Sequence, residues 1–340
     1  MKIENVEISL QHRFIIAEIG VNHNGDVNLA KKMIKSAYEC GANAVKFQTF
    51  ISKDLVTPQA SKAEYQETAD NTQLEMLKKL ELSKDDFKVL KDYCNSLGVI
   101  FLSSPFDLKS VDLLNELDVC AFKLGSGELT DFELINYIQK SDKPLILSTG
   151  MATLDEIKES YNIIENKENL AILHCITGYP ISFNEANLNF IKVLKENFNA
   201  TIGFSDHSPG CTLAIAAASL GCLIIEKHFT LDKNLPGPDH KASLNPEEFK
   251  ELVESIRIIE EAMGDGVRTL SENEAEIKKI VRKSIVTKSK LKKGDTITRE
   301  KLTFKRPGDG ISPKEIDKVT GKTVLKDLDT NHILKWSDIE

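Results

Sequence analysis

The sequence predicts an α/β fold, a (β/α)8 barrel followed by a small β-rich module. Three observations predict it. Eight short apolar or β-branched runs recur between residues 14 and 263, longer amphipathic segments separate them, and after Met263 the alternation gives way to β-like runs broken by Gly, Pro and Asp. Near-continuous apolar runs belong to parallel strands covered on both faces. Eight such units over roughly 250 residues is the count and length of a closed barrel. An open doubly wound sheet is the alternative, but the GVNHNG that follows the first run lacks the G-x-G-x-x-G phosphate fingerprint.

The eight runs, in order, are FIIAEIG (Phe14–Gly20), AVKFQTF (Ala44–Phe50), VIFLSS (Val99–Ser104), AFKLGS (Ala121–Ser126), PLILSTG (Pro144–Gly150), AILHC (Ala171–Cys175), TIGFSD (Thr201–Asp206) and LIIEKHF (Leu223–Phe229). Helical stretches between them include Val27–Cys40, Lys84–Leu97, Leu154–Glu165 and Cys211–Leu220, and Gly41, Gly98 and Gly221 are placed to cap three of these at their C-terminal ends. Ile51–Gln73 is polar, contains Pro and is too long for an ordinary connection. In a barrel it would lie over the mouth as a lid, or else decorate the surface. The expected division is a catalytic barrel over 1–263, a linker over 264–281 and a β-rich module over 282–340 carrying SIVTKS, TITREKLTF and GKTVLKDL.

Composition narrows the function. Apolar residues make up 41% and charged residues 28%, a globular mixture, and the net charge of −8 argues against nucleic acid or an anionic membrane as partner. The module runs the other way, with 15 Lys/Arg against 9 Asp/Glu. Its few aromatics, Phe304 and Trp336, do not interleave with the basic residues, which leaves a lid, a dimer contact or a solvated face. No run approaches the ~18 apolar residues of a membrane span, and Met1–Arg13 lacks the apolar core of a signal peptide. The six scattered cysteines fit reduced thiols, so a cytoplasmic setting is expected.

The C-terminal ends of barrel strands converge on one mouth, so polar residues there are the first candidates for chemistry. Lys46 and Gln48 lie two apart, on one face of the second strand. Lys46 and Lys123 each stand in an otherwise apolar strand, where a buried ammonium needs a partner. An anionic ligand would supply one, and with Ser126, Thr149 and Ser205 the two lysines make a cradle for phosphate plus carboxylate. Schiff-base catalysis by Lys123 is the alternative. His207 and His228, at adjacent strand ends, could hold one divalent ion with positions left open for substrate and water. Imidazole with oxygen ligands does not choose between Mn²⁺, Co²⁺, Mg²⁺ and Zn²⁺. Asp239 follows the eighth strand, where a carboxylate suits sugar hydroxyls or simply a turn.

These motifs resemble the sialic acid synthase family. The resemblance rests on AEIGVNHNG (Ala17–Gly25), VKFQTF (Val45–Phe50), SSPFD (Ser103–Asp107), KLGSGE (Lys123–Glu128) and LSTGMAT (Leu147–Thr153). It continues through LHCITGYP (Leu173–Pro180), GFSDHS (Gly203–Ser208), IEKHFTLDK (Ile225–Lys233) and GPDHKASL (Gly237–Leu244). KRPGDGIS (Lys305–Ser312) and the module around it resemble an antifreeze-like, or SAF, domain. The resemblance implies condensation of phosphoenolpyruvate with the open-chain aldehyde of an N-acetylated hexose, with release of phosphate and formation of a nine-carbon 2-keto acid. N-acetylmannosamine is the expected acceptor, and a diacetamido trideoxy sugar leading to legionaminic acid is the alternative. It further implies that His207 and His228 hold a divalent ion, Mn²⁺ by preference, that polarises the aldehyde oxygen. Lys46, Lys123, Ser126, Thr149, Thr177 and Ser205 would grip phosphoenolpyruvate; Glu18, Gln48, Tyr179 and Asp239 would contact the sugar; Glu18 or Glu128 would handle protons. At Thr177 some relatives carry Asn. Arg306 would bind the N-acyl group in the barrel of a partner chain, which implies a domain-exchanged homodimer.

Overall fold

The computed structural model describes residues 1–62 and 70–340, and the chain divides into two compact units, Met1–Gly264 and Asp265–Glu340. Eight parallel strands dominate the first: β1 (Phe14–Gly20), β2 (Ala44–Thr49), β3 (Ile100–Pro105), β4 (Phe122–Leu124), β5 (Leu145–Ser148), β6 (Leu170–Cys175), β7 (Thr201–Asp206) and β8 (Ile224–His228). Each falls on one of the apolar runs. The hydrogen-bonded order is β3-β2-β1-β8-β7-β6-β5-β4, so the sheet curls until its two edge strands, β3 and β4, face each other. Eight strands closed this way, with a helix after each, form a barrel.

The two faces of the strands explain the sequence pattern. Side chains alternate along a strand, so one parity points into the barrel and the other toward the helices. The inward set Phe14, Ile16, Ala44, Ile100, Leu102, Ala121, Ile146, Ala171, Leu173 and Ile224 packs as one buried cluster. A hairpin, Lys2–Ile3 with Val6–Glu7, closes the bottom of that cluster by inserting Ile3 and Ile8. The outward set, among them Ile15, Val45, Phe101, Leu147, Ile172 and Ile225, packs on the helices in a larger cluster. Both faces are therefore apolar, which is why the strands read as unbroken runs.

Helix ends follow local sequence chemistry. The helix Val27–Glu39 starts at Asp26, whose carboxylate accepts from the Asn28 and Leu29 amides. Lys84–Leu97 begins with a capping box of Ser83 and Asp86 and ends on Gly98 at φ 80°, a left-handed conformation that glycine adopts at least cost. Leu154–Ile163 and Pro246–Met263 carry capping boxes from Thr153/Glu156 and Asn245/Glu248. Each such cap is worth about 0.5–2 kcal/mol.

The described residues of the long insertion bring the helices Ser52–Leu55 and Gln73–Leu80 to the barrel mouth, where Leu77 and Leu80 pack with Phe50 and Val21. Residues 63–69 of that insertion lie outside the described residues. In the second unit the strands Ser284–Thr287 and Leu302–Lys305 pair antiparallel around a core of Ile285, Leu291, Ile297, Leu302, Val324 and Leu334. The expected third run, residues 321–328, makes only isolated bridges through Thr323, Val324 and Leu328. The expected linker holds a helix, Glu272–Val281, that buries none of its residues and groups with this second unit.

Candidate active site

At the C-terminal end of the barrel the inward parity changes from apolar to polar, one residue per strand. The next inward positions above the apolar layers are Glu18, Lys46, Ser104, Lys123, Ser148, Cys175, Ser205 and Glu226, and all eight line a cavity of about 240 Å³. One further step up, β2, β7 and β8 add Gln48, His207 and His228. The loops contribute Ser126, Glu128, Thr177 and Tyr179, and Phe50, Leu55, Leu77 and Phe106 make an apolar rim.

The ring is an ion network. Lys46 lies 2.7 Å from Glu18 and 3.8 Å from Glu226, and donates to Ser104 at 3.2 Å. Lys123 donates to Ser148 at 2.7 Å and to the Leu124 carbonyl at 3.0 Å, with Glu226 at 3.6 Å. Ser205 donates to Glu226 at 2.9 Å, and Gln48 donates to Glu18 at 3.2 Å. Burial pulls the Lys46 ammonium down, but Glu18 and Glu226 outweigh it and the pKa rises, so Lys46 stays charged. Burial lowers Lys123, offset in part by Glu226. Glu226 stays ionised: burial raises its pKa, but the two lysines bring it below the usual carboxylate range. Glu18 is pushed up by burial despite Lys46. The lysines therefore have internal partners in Glu18 and Glu226, in addition to the anionic ligand expected to supply one. The pairing is loose at 3.6–3.8 Å around Glu226, and an arriving anion can compete for the same ammoniums.

Backbone close to the ring makes room for small hydroxyls. Gly150 donates its N–H to Ser126 at 2.9 Å, and a Cβ there would sit 2.2 Å from the Thr177 hydroxyl and 2.7 Å from that of Ser126. Gly125 likewise leaves space that Glu128 fills, with its Oε2 2.7 Å from where a Cβ would be. That buried Oε2 has no hydrogen-bond partner, and burial pushes the Glu128 carboxyl up to about 7.

The two imidazoles stand side by side, with ring centroids 5.4 Å apart, and Tyr179 packs on His207 at 4.2 Å. His207 Nδ1 bonds the Ile176 carbonyl at 2.8 Å, which leaves Nε2 for another partner. His228 Nδ1 is buried without a hydrogen bond, 3.7 Å from Asp239. Burial, then His207 and the lysines, hold His228 well below its ordinary pKa, so it is neutral and able to ligate. His207 is the other imidazole on this wall. Burial lowers its pKa, but Cys175, the Ile176 carbonyl and Glu226 outweigh burial and raise it, so His207 would have to give up its proton to ligate a divalent ion beside His228. No group of three or more His, Cys, Asp or Glu among the described residues is arranged to hold a metal, so protein side chains would supply an open site rather than a closed cage.

Of the residues singled out from sequence, Glu18, Lys46, Gln48, Lys123, Ser126, Glu128, Thr177, Tyr179, Ser205, His207 and His228 share this cavity. Thr149 does not. It follows Ser148 with the opposite parity, its hydroxyl donates to the Leu173 carbonyl at 2.9 Å, and Ser148 takes the place expected of it. Asp239 is buried behind His228 rather than lining the cavity, and burial pushes it up to about 7. Arg306 is an exposed residue of the second unit, just beyond the strand Leu302–Lys305. Four more residues line the cavity: Ser104, Ser148 and Glu226, polar strand-end residues to which the sequence assigned no role, and Cys175. The signal that finds them is spacing by two from inward apolar residues, Leu102, Ile146, Leu173 and Ile224.

Comparison with known proteins finds relatives along the whole chain. Residues 33–268 match the NeuB family and residues 282–340 match the SAF domain. The chain is 47% identical to the N,N'-diacetyllegionaminic acid synthase of Campylobacter jejuni, over 96% of this chain and 100% of the relative. It is 44% identical to the enzyme of the same name from Legionella pneumophila, over 96% and 94%. Among solved structures, the N-acetylneuraminic acid (sialic acid) synthetase of Leptospira borgpetersenii superposes with a TM-score of 0.73 at 33% identity, over 82% of this chain and 94% of that one.

Proposed function

The chain belongs to the NeuB family, and from that premise we propose that it condenses phosphoenolpyruvate with an N-acylated sugar aldehyde and water. The products are a nine-carbon 2-keto acid and phosphate. The observation that supports this most is the ring of one polar residue per strand, in which two ammoniums, two carboxylates and small hydroxyls close on one cavity directly below two adjacent imidazoles.

Lys46, Lys123, Ser126, Ser148, Thr177 and Ser205 bind the phosphate and carboxylate of phosphoenolpyruvate. The two ammoniums are shared between Glu18 and Glu226, and the loose contacts around Glu226 let a multiply charged substrate compete for them. His207 and His228 would hold a divalent ion, Mn²⁺ by preference, which would supply Lewis-acid polarisation of the aldehyde oxygen. Tyr179 and Gln48 orient the sugar, with Asp239 behind His228. C3 of the enol ether forms the new bond to the aldehyde carbon. Glu128, half protonated near neutral pH, donates a proton to the oxygen that develops there. Glu18, held beside Lys46, takes a proton from the water that adds at C2, and loss of phosphate from C2 leaves the ketone. The apolar rim keeps bulk water from that cationic carbon.

The two relatives named for N,N'-diacetyllegionaminic acid, at 47% and 44% identity, favour a diacetamido trideoxy hexose over N-acetylmannosamine; the sialic acid synthetase stands at 33%. The same proposal places the reaction in the cytoplasm and includes a domain-exchanged homodimer, in which Arg306 of one protomer binds the N-acyl group in its partner's barrel. Comparing kcat/KM for the two sugars under saturating phosphoenolpyruvate tests the acceptor: the diacetamido sugar is expected to win by at least tenfold. Equal or better use of N-acetylmannosamine overturns that assignment. Borohydride reduction in the presence of pyruvate tests the rival chemistry, and a covalent adduct on Lys123 would overturn the condensation mechanism.

A further inference from the structure

We infer that the buried ion pair between Asp206 and Lys227 is the positioning device that sets the spacing of His207 and His228. The inference rests on the metal-holding role proposed above for those two histidines. Its evidence is separate, and lies on the opposite face of the strands.

Ser205, His207, Glu226 and His228 all point into the cavity. By the alternation of strand side chains, Asp206 and Lys227 point away from it. Both side chains are fully buried, 2.8 Å apart. They are also register partners, and Lys227↔Asp206 is the last rung of the ladder between β7 and β8. The two histidines therefore sit one residue beyond the point where backbone hydrogen bonds stop joining their strands. His228 is still held by β1, through its pairing with Glu18, and His207 by the Ile176 carbonyl. Between the two, side chains replace the missing rung. Asp206 Oδ2 takes Lys227 Nζ, Asp206 Oδ1 accepts the Ser208 amide at 2.8 Å, and Lys227 Nζ also donates to the Ser208 carbonyl. His207 is thus bracketed by Asp206 and Ser208, and both are tied to the residue that precedes His228.

Stability alone is a poor reason for this pair. A buried ion pair is often no more stabilising than apolar residues of similar volume, because both ions lose their hydration. An arrangement that fixes two ligands to within a few tenths of an ångström is a better reason, since outer partners of metal ligands typically govern roughly 10–100-fold in affinity.

The test uses the full-length protein and Mn²⁺ alone, with no substrate, reading free Mn²⁺ by its electron paramagnetic resonance signal. The double variant Asp206→Asn/Lys227→Met removes both charges but keeps an acceptor for the Ser208 amide. It is expected to melt within a few degrees of the parent while binding Mn²⁺ roughly 10–100-fold more weakly. The absorption spectrum of its Co²⁺ form is expected to shift, which a purely structural contact far from the ligands would not cause. A folded double variant with unchanged Mn²⁺ affinity and Co²⁺ spectrum overturns the inference. Should it not fold, Asp206→Asn carries the test: a loss of at least threefold supports the positioning role and an unchanged affinity overturns it. A parent protein that binds no Mn²⁺ contradicts the metal reading itself, an outcome separable from either variant result.

Discussion

Glu128 carries a prediction of its own. Burial holds its carboxyl at about 7, well above the usual carboxylate range, so the protonated fraction falls as pH rises through neutrality. If Glu128 donates a proton in the rate-limiting step, kcat/KM declines on the alkaline side with a midpoint near 7. Glu128→Gln is expected to lower kcat by about 10²–10⁴-fold and to erase that limb, as read from a pH–rate profile. The histidines make a sharper case. His207→Ala or His228→Ala removes one of two imidazole donors while leaving the apolar layers intact, so turnover is expected to fall to background with the circular dichroism spectrum unchanged. Lys123 illustrates why residue type alone leaves chemistry open. Its lowered pKa suits a Schiff-base lysine as well as an anion clamp, but its ammonium already faces Ser148, the Leu124 carbonyl and Glu226, which is the arrangement of a cation holding charge in place.

At the scale of elements, β7 shows how tightly the barrel interior constrains its strands. Gly203 points inward beneath Ser205, and a Cβ there would lie 2.4 Å from Leu173 Cδ2 and 2.6 Å from the Ile224 carbonyl. Gly203→Ala is therefore expected to cost about 1–3 kcal/mol of stability by overpacking, measurable as a lowered unfolding midpoint. The strands were legible because both of their faces are apolar, and TIGFSD, for instance, became Thr201–Asp206 without a shift at either end. Capped helices such as Lys84–Leu97 were equally plain, since Ser83 and Gly98 mark its two ends. The fifth run ends in both Ser148 and Thr149, and parity separates them: Ile146 points inward, so position 148 follows it while the Thr149 hydroxyl turns to the Leu173 carbonyl. Glu226 was visible at a strand end, but only the fold shows that its carboxylate meets lysines from β2 and β4, far away in sequence. In the second unit, residues 321–328 read as a strand because of their β-branched content, yet they pair through isolated bridges only.

At the scale of the whole molecule, the barrel is followed by a basic second unit that exposes Arg306. If that guanidinium completes a partner's site, Arg306→Ala is expected to raise KM for the sugar about tenfold or more with little effect on phosphoenolpyruvate. Mixing it with His207→Ala would then restore activity, because one barrel in each mixed dimer regains both an intact metal wall and a partner's Arg306. No recovery in such mixtures points to sites built within single chains. The central claim, that two imidazoles and two ammoniums at one mouth activate an aldehyde beside a tethered phosphoenol, meets its most direct test in phosphate release. With phosphoenolpyruvate and the diacetamido sugar, the account predicts phosphate and nine-carbon keto acid in equal amounts, loss of both on chelation, and recovery on adding Mn²⁺. Undiminished sugar-dependent turnover in the fully chelated protein would contradict it.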